Sequence, residues 1–179
     1  MLGSIEKGMI KNMSIILIGM PSSGKSTLGV LLAKRLGLEF TDSDLLIQKS
    51  EGKLLHEIIA ERGNEGFLAI ENRVNKAIEE KNSVIATGGS VVYCDEAMMH
   101  LRALGKVVYL YAPFEEISRR LGDFSHRGVI MRNGNTLEEM YGEREPLYEK
   151  YADIKVDVCS NSMSESLEKI VTALDKCGV

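Results

Sequence analysis

Short, branched apolar runs alternate along this chain with stretches whose apolar residues recur at helical spacing. Ile15-Ile16-Leu17-Ile18 is a continuous apolar run, the pattern of a strand buried on both faces. Residues 27–36 then carry helical periodicity, with Leu28, Leu31, Leu32 and Leu36 predicted to face inward and Gly37 to stop the helix. A short second strand is predicted over 38–41. Helical patches follow over 54–60 and 66–80, the latter turning Phe67, Ile70, Val74, Ala77 and Ile78 inward. Strands at 83–87, 106–111 and 154–158 alternate with helices at 94–104, from Pro113 to 121, at 137–151 and at 163–175.

Strands alternating with helices imply α/β: a three-layer α/β/α sandwich on a central parallel sheet. In such sheets ligands sit beyond the carboxyl ends of the strands. The glycine and polar clusters of this chain fall there, just after strands, which makes them candidates for one site.

The sharpest of these clusters is Gly19-Met20-Pro21-Ser22-Ser23-Gly24-Lys25-Ser26, a complete phosphate-binding loop between the first strand and the first helix. Glycines there let backbone N–H groups curl around phosphate oxygens, and the helix N-terminus points its dipole at them. Lys25 supplies a charge near the β- and γ-phosphates and Ser26 a hydroxyl for Mg²⁺. Gly19, Ser22, Ser23, Gly24, Lys25, Ser26 and Thr27 are therefore the candidate nucleotide-binding residues, with ATP and Mg²⁺ as cofactors. The architecture implied is that of a P-loop NTPase.

Phosphoryl transfer also needs a metal anchor, an acceptor-side base and cations about the transferred group. Asp42, at the end of the second strand, is placed to hold a Mg²⁺-bound water beside Ser26. Asp44 can take a proton from an acceptor hydroxyl. A helix cap is the alternative reading for these aspartates. Gly88-Gly89 permits close backbone approach to a ligand, or simply a tight turn. Arg119, Arg120, Arg127 and Arg132 cluster about a Gly-bearing stretch at 122–136, read as a mobile lid that brings cations over ATP.

The chain has 179 residues, long enough for one domain with a substantial core. We read 1–12 as a disordered leader, with Met9 and Met13 as later possible starts, and 13–179 as a single kinase domain. A formal net charge of −4 argues against broad nucleic-acid binding while leaving room for a local phosphate pocket. No apolar run is long enough for a membrane span. Three widely spaced cysteines, Cys94, Cys159 and Cys177, suggest reduced thiols in the cytoplasm and no zinc site. The expected partner is a small-molecule acceptor bound to a monomer.

With these residues in view, the chain resembles the shikimate kinase family, small P-loop kinases related in fold to the nucleoside monophosphate kinases, which implies a nucleoside monophosphate kinase-like architecture. The similarity runs from about residue 14 to 174. It is carried by the phosphate loop, Phe40-Thr41-Asp42-Ser43-Asp44, Gly66-Phe67, Ala86-Thr87-Gly88-Gly89, Arg127 and Arg144-Glu145-Pro146-Leu147-Tyr148. The resemblance implies that Asp42 assists Mg²⁺, that Asp44 binds the acceptor hydroxyls and acts as base, and that Gly88 and Gly89 line the acceptor site. It further implies that Arg144 grips the acid's carboxylate, that Arg127 contacts phosphate, and that Arg120 stacks on adenine at a pocket edged by residues 160–162. The implied reaction is ATP-dependent phosphorylation of a hydroxyl of shikimate, giving shikimate 3-phosphate for aromatic amino acid biosynthesis.

Three positions depart from the family pattern. Leu68 stands where the resemblance implies an arginine that clamps the acceptor carboxylate, and Glu71, which would support that arginine, is retained without it. The third acceptor-side glycine is Ser90, and the lid segment reads Arg127-Gly128-Val129-Ile130. Leucine cannot replace a bidentate guanidinium contact. Another small polyol or sugar acid is thus an alternative acceptor. A nucleotide-binding module without transfer and a nucleoside monophosphate kinase are the other readings.

Overall fold

The computed structural model describes residues 13–121, 129, 136–159 and 162–178. Five parallel strands, β1 (Ser14–Ile18), β2 (Glu39–Asp42), β3 (Ser83–Ala86), β4 (Gly105–Tyr111) and β5 (Ile154–Asp157), form one sheet in the order β2-β3-β1-β4-β5. The expected leader lies outside the described residues, as does all of the lid region except Val129 and Thr136.

Helices α1 (Lys25–Leu36), α2 (Ser43–Glu51), α3 (Leu55–Lys76), α4 (Asp95–Leu104), α5 (Phe114–Leu121), α6 (Leu137–Tyr151) and α7 (Met163–Lys176) surround this sheet. The three-layer α/β/α expectation holds. β1 is central, with every residue buried, which explains why its sequence is continuously apolar with no alternating polar face. Because β3 flanks β1 on one side and β4 on the other, the chain reverses its winding at β1. The crevice beyond β1 is where an open parallel sheet binds its ligands.

Helix α1 stops at Gly37, whose N–H returns to the carbonyl of Ala33. Its inward face is Leu28, Gly29, Leu32 and Ala33; Leu31 and Leu36 are only half-buried. At Gly29 an added Cβ would lie too close to the Phe40 ring, so this turn packs directly on β2. Thr136 and Glu139 form a reciprocal cap at the start of α6, the hydroxyl accepting from the Glu139 N–H at 3.1 Å and the carboxylate from the Thr136 N–H at 2.7 Å.

The predicted helices at 54–60 and 66–80 are one run in the structure, α3, interrupted at Gly63 (φ 68°, ψ 178°). It ends at Lys76, so Ala77 lies beyond it and is exposed. The buried positions near the helix end include Glu71 and Asn75, which an apolar periodicity cannot register. No helix among the described residues is long and apolar enough to cross a membrane.

Candidate active site

The phosphate loop leaves β1 and enters α1 through backbone that side chains resist. Gly19 has φ 149°, and a Cβ there would lie 2.6 Å from the Leu110 carbonyl oxygen. Ser23 Oγ, fully buried, has no hydrogen-bond partner among the described residues. Lys25 is buried and folds back on the loop, donating to the carbonyls of Gly19 and Met20, each at 2.8 Å. Burial lowers its ammonium to about 8, while Asp44 and Asp42 pull the other way. Ser26 and Thr27 are exposed in the first turn of α1.

The acceptor half is built from β2, β3 and α6. Asp42 caps α2, its Oδ1 accepting from the Asp44 N–H at 3.0 Å, so the capping reading is correct for one of its oxygens. That bond orients the short turn that carries Asp44 into the cavity. Burial raises the Asp44 carboxyl to about 6, with Asp42 adding to the rise and Lys25 opposing it. A carboxylate of that strength is ionised at neutral pH and basic enough to accept a proton.

Gly88 and Gly89 leave β3 in a loop held from three sides. The Thr87 hydroxyl donates to the Leu17 carbonyl at 2.9 Å, the Gly88 N–H donates to Ser43 Oγ at 3.2 Å, and the Tyr148 hydroxyl donates to the Gly89 carbonyl at 2.6 Å. A Cβ on Gly88 would overlap Glu71 Oε1 and lie 2.9 Å from Asp44 Oδ1; one on Gly89 would lie 2.9 Å from Pro21 of the phosphate loop. Close approach is thus a requirement at both glycines. Arg144, 1% exposed, projects from α6 with its guanidinium carbon 5.3 Å from the Tyr93 ring centre and Nη1 3.2 Å from the Cβ position of Gly89.

Lys25, Ser26, Asp44, Gly88, Gly89 and Arg144 line one cavity of about 390 Å³, together with Phe67, Ser90 and Val129. The structure therefore brings the phosphate loop together with the residues expected on the acceptor side. Arg120 lies apart, on a second cavity of about 220 Å³ shared with Ser23, Val158 and Ser162. Its Nε donates to Glu116 at 2.6 Å and Nη2 to the Val158 carbonyl at 3.4 Å. Arg119 is exposed and makes a two-point pair with Glu116 (2.9 and 2.7 Å). Arg127, Arg132 and Ser160 lie outside the described residues.

Glu71, expected to stand without its arginine, has another partner: Ser90 Oγ lies 2.6 Å from its Oε2. Leu68 is absent from the cavity wall and packs half-buried between the two apolar clusters of the protein. The sequence reading gave Ser43 and Thr87 no role of their own and did not pair Glu71 with Ser90. Ser43 and Thr87 are polar residues flanking strand ends, next to the aspartates and the glycine pair, and that proximity was the available signal.

Among the described residues no group of three or more His, Cys, Asp or Glu could cage a metal. Ser26 and Asp42 are hard oxygen donors, a set that suits an ion keeping most of its shell as water and phosphate oxygen.

The family model "Shikimate kinase" matches residues 21–175. A curated shikimate kinase of Clostridium botulinum (strain Okra / Type B1) is 40% identical over 167 residues, covering 91% of this chain and 96% of that one. One from Francisella tularensis subsp. holarctica is 39% identical over 170 residues, covering 93% and 97%. Among solved structures, the shikimate kinase of Acinetobacter baumannii in complex with shikimate superposes with a TM-score of 0.87 at 29% identity, covering 96% of this chain and 97% of that one.

Proposed function

This chain belongs to the shikimate kinase family, and from that premise we propose that it transfers the γ-phosphoryl group of ATP to a ring hydroxyl of shikimate. The observation that carries this reading is a single cavity holding Lys25 of the phosphate loop, the carboxylate of Asp44 and the guanidinium of Arg144. It offers a phosphate cation, a base and a carboxylate anchor to one small acid.

In the reaction we propose, Arg144 holds the shikimate carboxylate and Asp44 accepts the proton of the attacking hydroxyl. The hydroxyl oxygen bonds to the γ-phosphorus as the bond from that phosphorus to the β–γ bridging oxygen breaks, and ADP leaves. Lys25 and the loop N–H groups stabilise charge on the phosphate oxygens, which is most of what phosphoryl transfer asks of a protein. Ser26 and Asp42 would hold Mg²⁺, which supplies charge neutralisation at the β- and γ-phosphates. Arg120 would border the nucleotide base, and Arg127 keeps the phosphate contact that the family resemblance implies. Gly88 and Gly89 bring the loop backbone against the acceptor ring. The three unpaired cysteines fit a reducing cytoplasm, and a site assembled within one chain fits a monomer.

The test is ADP release by the purified protein with ATP, Mg²⁺ and shikimate, with AMP, CMP, UMP, GMP and a panel of sugar acids in parallel. Turnover on shikimate that disappears on chelation of the metal supports the reading. Turnover confined to another acid keeps the phosphotransferase and removes shikimate.

A further inference from the structure

Shikimate is a carboxylate on a hydroxylated ring, so a site that delivers one ring hydroxyl to Asp44 must also fix the carboxylate. Of the described side chains lining the cavity, Arg144 and Lys25 are the cations, and Lys25 belongs to the phosphate end. Ser90 stands in the same wall, following the Gly88-Gly89 turn whose backbone is pinned by Tyr148. Behind Ser90, Glu71 is completely buried, with Oε2 2.6 Å from Ser90 Oγ and no hydrogen-bond partner for Oε1 among the described residues.

The direction of the Ser90–Glu71 bond decides what the cavity sees. Among the described residues, the charged or titratable groups facing Glu71 are Asp44 from α2, Arg144 and the Tyr148 phenol from α6, Lys25 from α1 and the buried thiol of Cys94. Burial dominates and pushes the Glu71 carboxyl up to about 8. To an ionised Glu71 the bond runs from Ser90 Oγ to Oε2; to the acid form it can run the other way, with Glu71 donating to Ser90 Oγ and the serine proton left for the cavity. An ionised Glu71 would take that proton and turn lone pairs towards an incoming carboxylate.

We propose that Ser90 determines acceptor specificity: its hydroxyl, positioned by Glu71, donates to the acceptor carboxylate alongside Arg144. This rests on the shikimate reading above. It also accounts for a cavity wall without Leu68, because the second donor to the carboxylate comes from the β3 loop and not from α3.

The test compares kcat/KM of the full chain for shikimate and for the same ring with its carboxylate reduced to hydroxymethyl. Ser90→Ala is expected to raise KM for shikimate about ten- to a hundredfold, as loss of a hydrogen bond to a charged group does. The kcat value and KM for ATP should stay within about twofold, and kcat/KM on the hydroxymethyl analogue should fall less than about threefold. Ser90→Gly should repeat this with nothing new in the wall. Glu71→Gln keeps an N–H for Ser90 and should retain the wild-type KM, whereas Glu71→Ala should behave like Ser90→Ala. An unchanged KM for shikimate in Ser90→Ala and Ser90→Gly, or equal losses on both acceptors, overturns the proposal. Failure of the wild-type chain to phosphorylate shikimate at all is a different result and overturns the proposed function itself.

Discussion

The Tyr148 hydroxyl donates to the carbonyl of Gly89 at 2.6 Å, joining the helix that carries Arg144 to the loop that lines the acceptor cavity. Tyr148 is wholly buried and stacks on Tyr109 of β4, with ring centres 5.0 Å apart and an interplanar angle of 24°. Burial raises its phenol, so it remains a hydrogen-bond donor at any working pH. One turn of α6 earlier, Arg144 inherits this anchoring. The proposed carboxylate anchor and the glycine loop are therefore tied to each other by this bond.

Removing that bond should be felt on the acceptor and not on ATP. Tyr148→Phe keeps the ring stack and removes one hydroxyl, which lowers stability by about 1 kcal/mol. The expected outcome is a KM for shikimate raised roughly three- to tenfold, about what that loss corresponds to, with KM for ATP unchanged. Steady-state kinetics with each substrate varied in turn decide it. An equal rise in both would mean that Tyr148 supports the whole fold and not the acceptor loop.

Gly88 gives a sharper contrast. A methyl group at this position overlaps Glu71 Oε1 and crowds Asp44 Oδ1 at 2.9 Å, so Gly88→Ala must displace the base, the loop or both. Misplacement of a reacting group by about 1 Å lowers rates on the order of a hundredfold, and kcat should fall by at least that much. Gly142→Ala is the control. It lies in α6, where an added Cβ meets nothing within 4 Å, and should leave kcat unchanged while gaining up to about 1 kcal/mol of stability. Matching kcat values for the two variants would contradict the crowding.

The same two glycines show what the sequence made legible. Gly88 and Gly89 were candidates because they follow an apolar strand, and their neighbours explain why nothing larger fits. All five strands were predicted, β1, β3 and β4 as apolar runs and β2 and β5 from shorter, more polar segments, and α6 was predicted at its observed bounds. The phosphate loop was readable because its chemistry is local, strand to loop to helix. What remained hidden were partners distant in the chain. Glu71 and Ser90 are 19 residues apart and meet only because α3 packs behind the β3 loop. No periodicity announces a buried carboxyl whose partner is a serine from another element. The break at Gly63, by contrast, was legible, because the helical spacing was read as two segments, 54–60 and 66–80, on either side of it.

Glu71 also gives stability a pH dependence with a definite sign. Its folded pKa, raised by burial to about 8, lies above the unfolded value of 4.5, so the folded state holds the proton more tightly. The stability from this group is fully present below about 4.5 and is lost as pH rises towards 8, because the unfolded chain sheds the proton first. Glu71→Gln removes the titration and should flatten the fall in urea midpoint across that window. Parallel profiles for wild type and Glu71→Gln would show that the carboxyl is ionised in the folded protein.

Lys25 is the last and most demanding case, since it has two jobs. Its ammonium spans the Gly19 and Met20 carbonyls at 2.8 Å each, closing the loop on itself, and it is also the cation that a phosphate-binding loop offers to the β- and γ-phosphates. Lys25→Ala removes both. The transition-state contribution alone corresponds to a fall in kcat on the order of 10²–10³, as for loss of one preorganised electrostatic donor, and the loss of loop closure adds to it. Lys25→Arg tests the two roles apart. Arginine keeps the charge, yet its larger planar head must enter a position that is 8% exposed and shaped for a point charge with three donors. It should restore less than a tenth of the activity with shikimate while binding of ATP, followed by calorimetry, recovers further. Full activity in Lys25→Ala would remove the phosphate loop from the reaction altogether. Full activity in Lys25→Arg would mean that charge alone, and not the two carbonyl contacts, is what the loop requires.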